Sequence, residues 1–257
     1  MNKGISFYWG YVQKPEESAK MLKDIGFDCV ITSASNKYKF QNGSLSKQIK
    51  LFKKYNLKLS SLHTRYDKNS KFLWVKGFKG YIVYKKLLND IKKTKKCGSN
   101  VAVVHLYGEP SEVGYKRLKK ILNVCKKLDV YFAVENISKR LCFEGVFKNI
   151  THSHLKFCYD IGHNNCFDPD YDYLEKYGDK LICLHLHDNM GEKDDHTLNK
   201  YGNINWNAFA KKLKKINYTG NLDYELLLNV RNNETIYQAA NEAYKQAIDL
   251  EIKINNN

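Results

Sequence analysis

Arginine is the scarcest of the charged residues. Of 43 basic residues only Arg65, Arg117, Arg140 and Arg231 are arginines. A formal charge of +16 invites a nucleic-acid partner, but arginine is the usual bidentate reader of guanine and a frequent phosphate clamp. The lysines fall in helical stretches such as KKLLNDIKKTKK (85–96) and KKLKK (211–215), which read as solvated outer faces. That distribution suits nonspecific affinity for polyanions better than base readout, so nucleic acid is the lesser expectation among partners. No run reaches the roughly 18 apolar residues of a membrane span. MNKGISFYWG carries a lysine and no continuous apolar stretch before a small-residue cleavage site, so no signal peptide and a cytoplasmic location are expected. The seven cysteines form no CxxC pair. With an odd count, and Cys158 and Cys183 inside apolar runs, they read as reduced thiols rather than a disulfide framework or zinc knuckle. Neither GxGxxG nor GxxxxGK[ST] occurs, which argues against an open doubly wound sheet around a dinucleotide or phosphate.

What is present is a repeat of short apolar strand and amphipathic helix. ISFYWG (5–10) precedes PEESAKMLKDIG (15–26), and DCVITSA (28–34) precedes SLSKQIKLFKKYN (44–56). LKLSSLHT (57–64) leads to a helix over 78–96, and NVAVVHLYG (100–108) to one over 111–129. VYFAVENI (130–137) is followed by a short helix near 141–149, LKFCYDIGH (155–163) by DYDYLEKYG (170–178), and KLICLHLHD (180–188) by INWNAFAKKLKKIN (204–217). LDYELLL (222–228) precedes a last helix over about 233–252. Eight alternating units imply a parallel sheet, and about 250 residues is the size of a (β/α)8 TIM barrel. The expected fold class is therefore α/β, a single-domain (β/α)8 TIM barrel over 1–257.

Function in such a barrel sits at the C-terminal ends of the strands. Alternation puts Ser61 with His63, Val103 with His105, Ala133 with Glu135, Cys158 with Asp160, His185 with His187, and Asp223 with Glu225 on one face of each strand. Six of the eight histidines (63, 105, 163, 185, 187, 196) belong to these strand ends or the loops just after them. Imidazole and carboxylate together suit zinc, manganese and other divalent first-row ions. Unpaired buried carboxylates are costly without a cation. His185, one strand repeat before His187, is expected a layer deeper, supporting the site. Asp188 and Asp195 are expected to be solvated or to support the site from outside. Trp9, Trp74 and Trp206 are candidate walls for a sugar face, with plain packing as the alternative.

VENI (134–137), CYDIGH (158–163), LHLHDN (184–189), DDH (194–196), INW (204–206) and DYEL (223–226), in this order, resemble the xylose-isomerase-like TIM-barrel superfamily. It includes sugar isomerases and epimerases, inosose dehydratases and apurinic endonucleases of the endonuclease IV type. The resemblance to ketose 3-epimerases implies one divalent metal, Mn2+ or Zn2+, on Glu135, Asp160, His187 and Glu225. It also implies that Glu135 and Glu225 are a catalytic acid/base pair and that His163 holds a substrate oxygen. An arginine usual after HxH is missing, and Lys193 is the cation nearby. The resemblance to the endonuclease branch implies more than one ion, on His63, His105, Glu135, Asp160, His163, His187, Asp194, His196 and Glu225. Short loops after the first two strands and few arginines favour sugar chemistry, so a small-molecule sugar is the expected partner. Barrels of this class often pair, so a homo-oligomer is a further expectation.

Overall fold

The computed structural model describes residues 1–7, 14–35, 42–65, 68–137, 140–227 and 234–256. Eight parallel strands run in the order β7-β6-β5-β4-β3-β2-β1-β8. They are β1 (Lys3–Ser6), β2 (Cys29–Ser33), β3 (Lys58–His63), β4 (Val101–Val104), β5 (Tyr131–Glu135), β6 (Leu155–Asp160), β7 (Leu181–His185) and β8 (Leu222–Tyr224). A parallel bridge between Leu186 and Tyr224 joins β7 to β8 and closes the (β/α)8 barrel. Its two hydrogen bonds run from Leu186 N–H to Asp223 C=O and from Glu225 N–H to Leu186 C=O, both 2.9 Å.

The helices form where local chemistry asks for them. In α1 (Pro15–Ile25), Pro15 opens the first turn, and Gly26 at φ 120° ends the helix in a backbone shape that favours glycine. In α4 (Glu112–Leu128) the Ser111 side chain accepts the Gly114 N–H. The others are α2 (Leu45–Lys54), α3 (Phe78–Lys96), α5 (Arg140–Asn149), α6 (Ile161–Phe167), α7 (Tyr173–Tyr177), α8 (Trp206–Lys215) and α9 (Ile236–Asn256). In α8, Phe209, Ala210 and Leu213 are buried against the barrel while Lys211, Lys212, Lys214 and Lys215 stay exposed, as the charge pattern requires.

Two apolar layers result. The larger lies between sheet and helices and includes Phe27, Phe52, Phe132, Phe143 and Phe157. The smaller, Val101, Val103, Ala133, Cys158 and Cys183, plugs the barrel interior below the strand ends. The strands are mostly shorter than the apolar segments, β4 ending at Val104 and β7 at His185, and two further boundaries differ for reasons of their own. β1 begins at Lys3, earlier than predicted, and residues 8–10 of that segment lie outside the described residues. β6 stops at Asp160, because its side chain accepts the His163 N–H at 2.6 Å and starts α6 there, so IGH is the first helical turn rather than the end of a strand.

Candidate active site

The barrel mouth gathers the predicted residues into one polar cluster. His63 ends β3, His105 follows β4, Glu135 ends β5, Asp160 ends β6, and Glu225 follows β8. His163 comes from the first turn of α6, and His185 and His187 from β7 and the residues just after it. Asp194 and His196 return from the loop between β7 and α8. Glu135, Asp160 and Glu225 are each at most 3% exposed, and His187 is fully buried.

Donor atoms converge within 4.8 Å in five overlapping groups, and three of them span the mouth: His63 with His105 and Glu135; Glu135 with Asp160, His185 and Glu225; and His163 with Asp194 and His196. Glu135 belongs to the first two. Its Oε2 lies 3.2 Å from His63 Nε2 and 3.0 Å from His105 Nε2, and its Oε1 lies 3.1 Å from His163 Nδ1 and 3.4 Å from His185 Nδ1. The same His185 nitrogen is 3.2 Å from Glu225 Oε2. His187 Nε2 meets Asp160 Oδ1 at 3.0 Å. Asp194 Oδ2 stands 3.2 Å from both His163 Nε2 and His196 Nε2.

The ring tautomers are set from behind. A carbonyl oxygen only accepts, so a ring nitrogen bonded to one must carry the proton. His63 Nδ1 donates to Thr64 C=O at 2.8 Å, His163 Nδ1 to Asn136 C=O at 3.0 Å, and His196 Nδ1 to Glu225 C=O at 2.8 Å. In its neutral form each ring would offer an Nε2 lone pair to an ion, the arrangement found behind metal-ligating histidines, while facing carboxylates alone it favours the protonated form. Asn136 also brackets Asp160, its amide donating to Asp160 C=O and accepting Asp160 N–H, both at 2.8 Å. Gly162 is where it is because His187 lies against it; a Cβ there would sit 1.9 Å from His187 Cε1.

The electrostatics are those of crowded carboxylates seeking positive charge. Burial would raise the Glu135 carboxyl, but His105 and His185 hold it well below the usual range. Burial is likewise outweighed at Glu225, held down by His185 and His196, and at Asp194, held down by His163 and His196. The imidazoles answer in kind. Burial lowers His163 and His185, but Asp160 and Asp194 push the first well above its ordinary value, and Glu225 and Glu135 do the same for the second. His105 goes the other way, lowered by burial against the pull of Glu135.

Some placements were not legible beforehand. His185 was expected a layer deeper, and it touches both glutamates. Asp188 was read as solvated or supporting, and it is fully buried. Trp74 is buried and donates to Tyr107 C=O at 2.7 Å, and Trp206 donates to Asp188 Oδ2 at 2.6 Å, so neither indole N–H is offered to a sugar. Lys193 is exposed on the loop beside Asp194. Trp9 lies outside the described residues. His152 and His154 precede β6, at the opposite end of the barrel from this cluster.

Residues 19–249 match the family described as Xylose isomerase-like TIM barrel. Uncharacterized protein y4fM of Sinorhizobium fredii is 33% identical over 125 residues, which cover 45% of this chain and 40% of that protein. Uncharacterized protein MJ1614 of Methanocaldococcus jannaschii is 35% identical over 106 residues, covering 40% and 42%. The chain thus matches less than half the length of these relatives. Among solved structures, a D-tagatose 3-epimerase-like protein superimposes with a TM-score of 0.80 at 20% identity, covering 100% of this chain and 99% of its own. An L-ribulose 3-epimerase superimposes with a TM-score of 0.78 at 16% identity, covering 99% and 96%. At such identities the superpositions speak for the fold, and together with the match over 19–249 they lead to one statement: this chain belongs to the xylose isomerase-like TIM barrel family.

Proposed function

We propose that the chain is a metal-dependent isomerase or epimerase of a keto-sugar, inosose or sugar phosphate, with Glu135 and Glu225 as its acid/base pair. The observation that carries this reading is the convergence of both buried glutamates on His185 Nδ1, at 3.4 and 3.2 Å, inside a mouth ringed by further imidazoles. Superposition on ketose 3-epimerases supports the substrate class.

The donor set fits a divalent cation. Three carboxylates are buried together, and three of the histidines are held in the tautomer that offers Nε2. Glu135, Asp160 and Glu225 would hold the ion, with His187 and His185 the nearest imidazoles. Mn2+ or Zn2+ bound there would supply Lewis acidity toward a substrate carbonyl and hydroxyl. Glu135 would take the carbon-bound proton on one face of the substrate and Glu225 would return one on the other. His163, pinned through Nδ1 to Asn136, would steady a substrate oxygen. Metal analysis and assay of D-fructose, D-tagatose and L-ribulose test this. The expected result is epimerised or isomerised sugar that disappears on chelation and returns with Mn2+; metal-independent turnover rejects the reading.

A second reading has an observation of its own. The groups His63–His105–Glu135 and His163–Asp194–His196 flank the central carboxylates, and a multi-zinc phosphoesterase of the apurinic endonuclease type would use all three. Zinc bound tightly at about three per chain, with cleavage of an oligonucleotide carrying an abasic site, would establish it; one exchangeable manganese with sugar turnover would establish the first.

A further inference from the structure

Asp194 and His196 lie far along a loop, 189–205, that has no helix or strand to stiffen it until the short 3₁₀ turn at Asn199–Tyr201. Such a loop does not hold two side chains on target without internal bracing. The bracing converges on one residue, Asp188, through its carboxylate and its backbone. Asp188 Oδ1 accepts the Asn189 N–H at 2.9 Å and the Ile204 N–H at 3.1 Å, so one oxygen ties the beginning of the loop to its end. Oδ2 accepts the Trp206 indole N–H at 2.6 Å. The backbone of Asp188 exchanges hydrogen bonds with Thr197, 2.8 and 3.0 Å, and its C=O also accepts the Thr197 hydroxyl at 2.9 Å. Thr197 is the residue after His196. The loop closes tightly around this oxygen pair: a Cβ on Gly202 would lie 1.9 Å from Asp188 Oδ1. Asn189 adds a second tie, donating to Gly162 C=O at 2.9 Å and accepting from Asn165 at 2.8 Å, which fastens the loop to α6, the helix that carries His163.

We propose that Asp188 is the positioning residue of the loop half of the site: it holds 189–205 in the one shape that turns Asp194 and His196 toward His163. His196 shows what the shape costs, since it sits at φ 48° with its C=O accepting the Leu227 N–H at 3.0 Å. The Asp188 carboxylate acts through Asn189, Ile204 and Trp206, and its backbone acts through Thr197. The inference rests on the metal-site reading only where it assigns a task to the positioned pair.

The test compares the parent with Asp188→Ala, Asp188→Asn and Trp206→Phe by hydrogen–deuterium exchange, beside a Zn2+ titration. In Asp188→Ala the amides of 189–205 are expected to exchange at least about 10-fold faster while β3 to β6 keep their protection. If the parent binds more than one Zn2+ per chain, uptake should fall short by the ion that Asp194 and His196 would share with His163; if it binds one, the loop readout decides alone. Trp206→Phe, which keeps an aromatic ring but loses the indole donor, should loosen the loop in the same direction by less. Should Asp188→Ala not fold, Asp188→Asn and Trp206→Phe carry the test. Unchanged protection of 189–205 overturns the proposal, as does, in a parent that binds more than one Zn2+ per chain, a loosened loop with full Zn2+ uptake. A parent that takes up no Zn2+ removes the metal reading, and loop protection alone then decides the role of Asp188.

Discussion

Asp223 and Glu225 stand two residues apart at the end of β8, point into the same barrel and are both buried, yet their surroundings drive them in opposite directions. Glu225 lies at the mouth, 3.2 Å from His185 Nδ1, and the imidazoles hold it ionised. Asp223 lies on the floor beside Ser60, Cys29 and Gly4, where a Cβ on Gly4 would come within 1.9 Å of its Oδ1. Burial pushes it up to about 6 against the weaker pull of Ser60 and His185. Burial is common to both, so the neighbours decide: imidazoles above outweigh it and make a place for charge, while the neutral donors below offset it only in part.

The widest separation should appear in turnover. Glu225→Gln is expected to lower kcat by a factor of about 10³ or more, and Asp223→Asn to leave it within about 10-fold, with melting temperatures showing both chains folded. Equal losses in the two variants would erase the distinction between mouth and floor. Gly162→Ala comes next. It forces His187 off Asp160, and isothermal titration should find divalent-ion affinity about 10- to 100-fold weaker; unchanged affinity would remove His187 from the ion's surroundings.

The smallest effect is in stability. The folded chain keeps the Asp223 proton up to about 6, while the unfolded chain releases it near 3.8. Between those values the unfolded state loses its proton first, so rising pH favours unfolding, and the penalty is complete above about 6. Asp223→Asn cannot ionise. Urea denaturation should find the variant gaining on the parent as pH rises from about 4 to 8, by roughly 2–3 kcal/mol. Parallel pH profiles would put Asp223 on the same footing as an exposed carboxylate.

The barrel was legible because its signal is periodic: eight apolar segments, each followed by a lysine-faced helix, admit few other arrangements. The chemistry was legible as residue types at strand ends, since alternation alone puts Glu135, Asp160 and Glu225 inside. What alternation does not reveal is height. His185 and His187 share a face, but which carboxylate each meets depends on the stagger between strands. The β6–β7 register slips between Phe157 and Cys158 and leaves Asp160 paired with His185. That shift is a property of neighbouring segments, invisible in either one. Asp188 was expected to be solvated or to support the site, but its partners Thr197, Ile204 and Trp206 were hidden because they lie across a loop that no local pattern folds. The end of β6 was misplaced because Asp160 serves both as helix cap and as a member of the site.

The lone bridge that joins Leu186 to Tyr224 separates His185 from His187, with Leu186 turned to the outer layer and an imidazole entering the barrel on either side. A slip of one residue at this seam would swing both imidazoles out among the helices and bring leucines in to face the glutamates. No intermediate register keeps one histidine and loses the other. Closing the barrel and bringing Glu225 to the mouth are therefore a single event, and a chain that has not shut this seam lacks the carboxylate that meets Glu135 at His185.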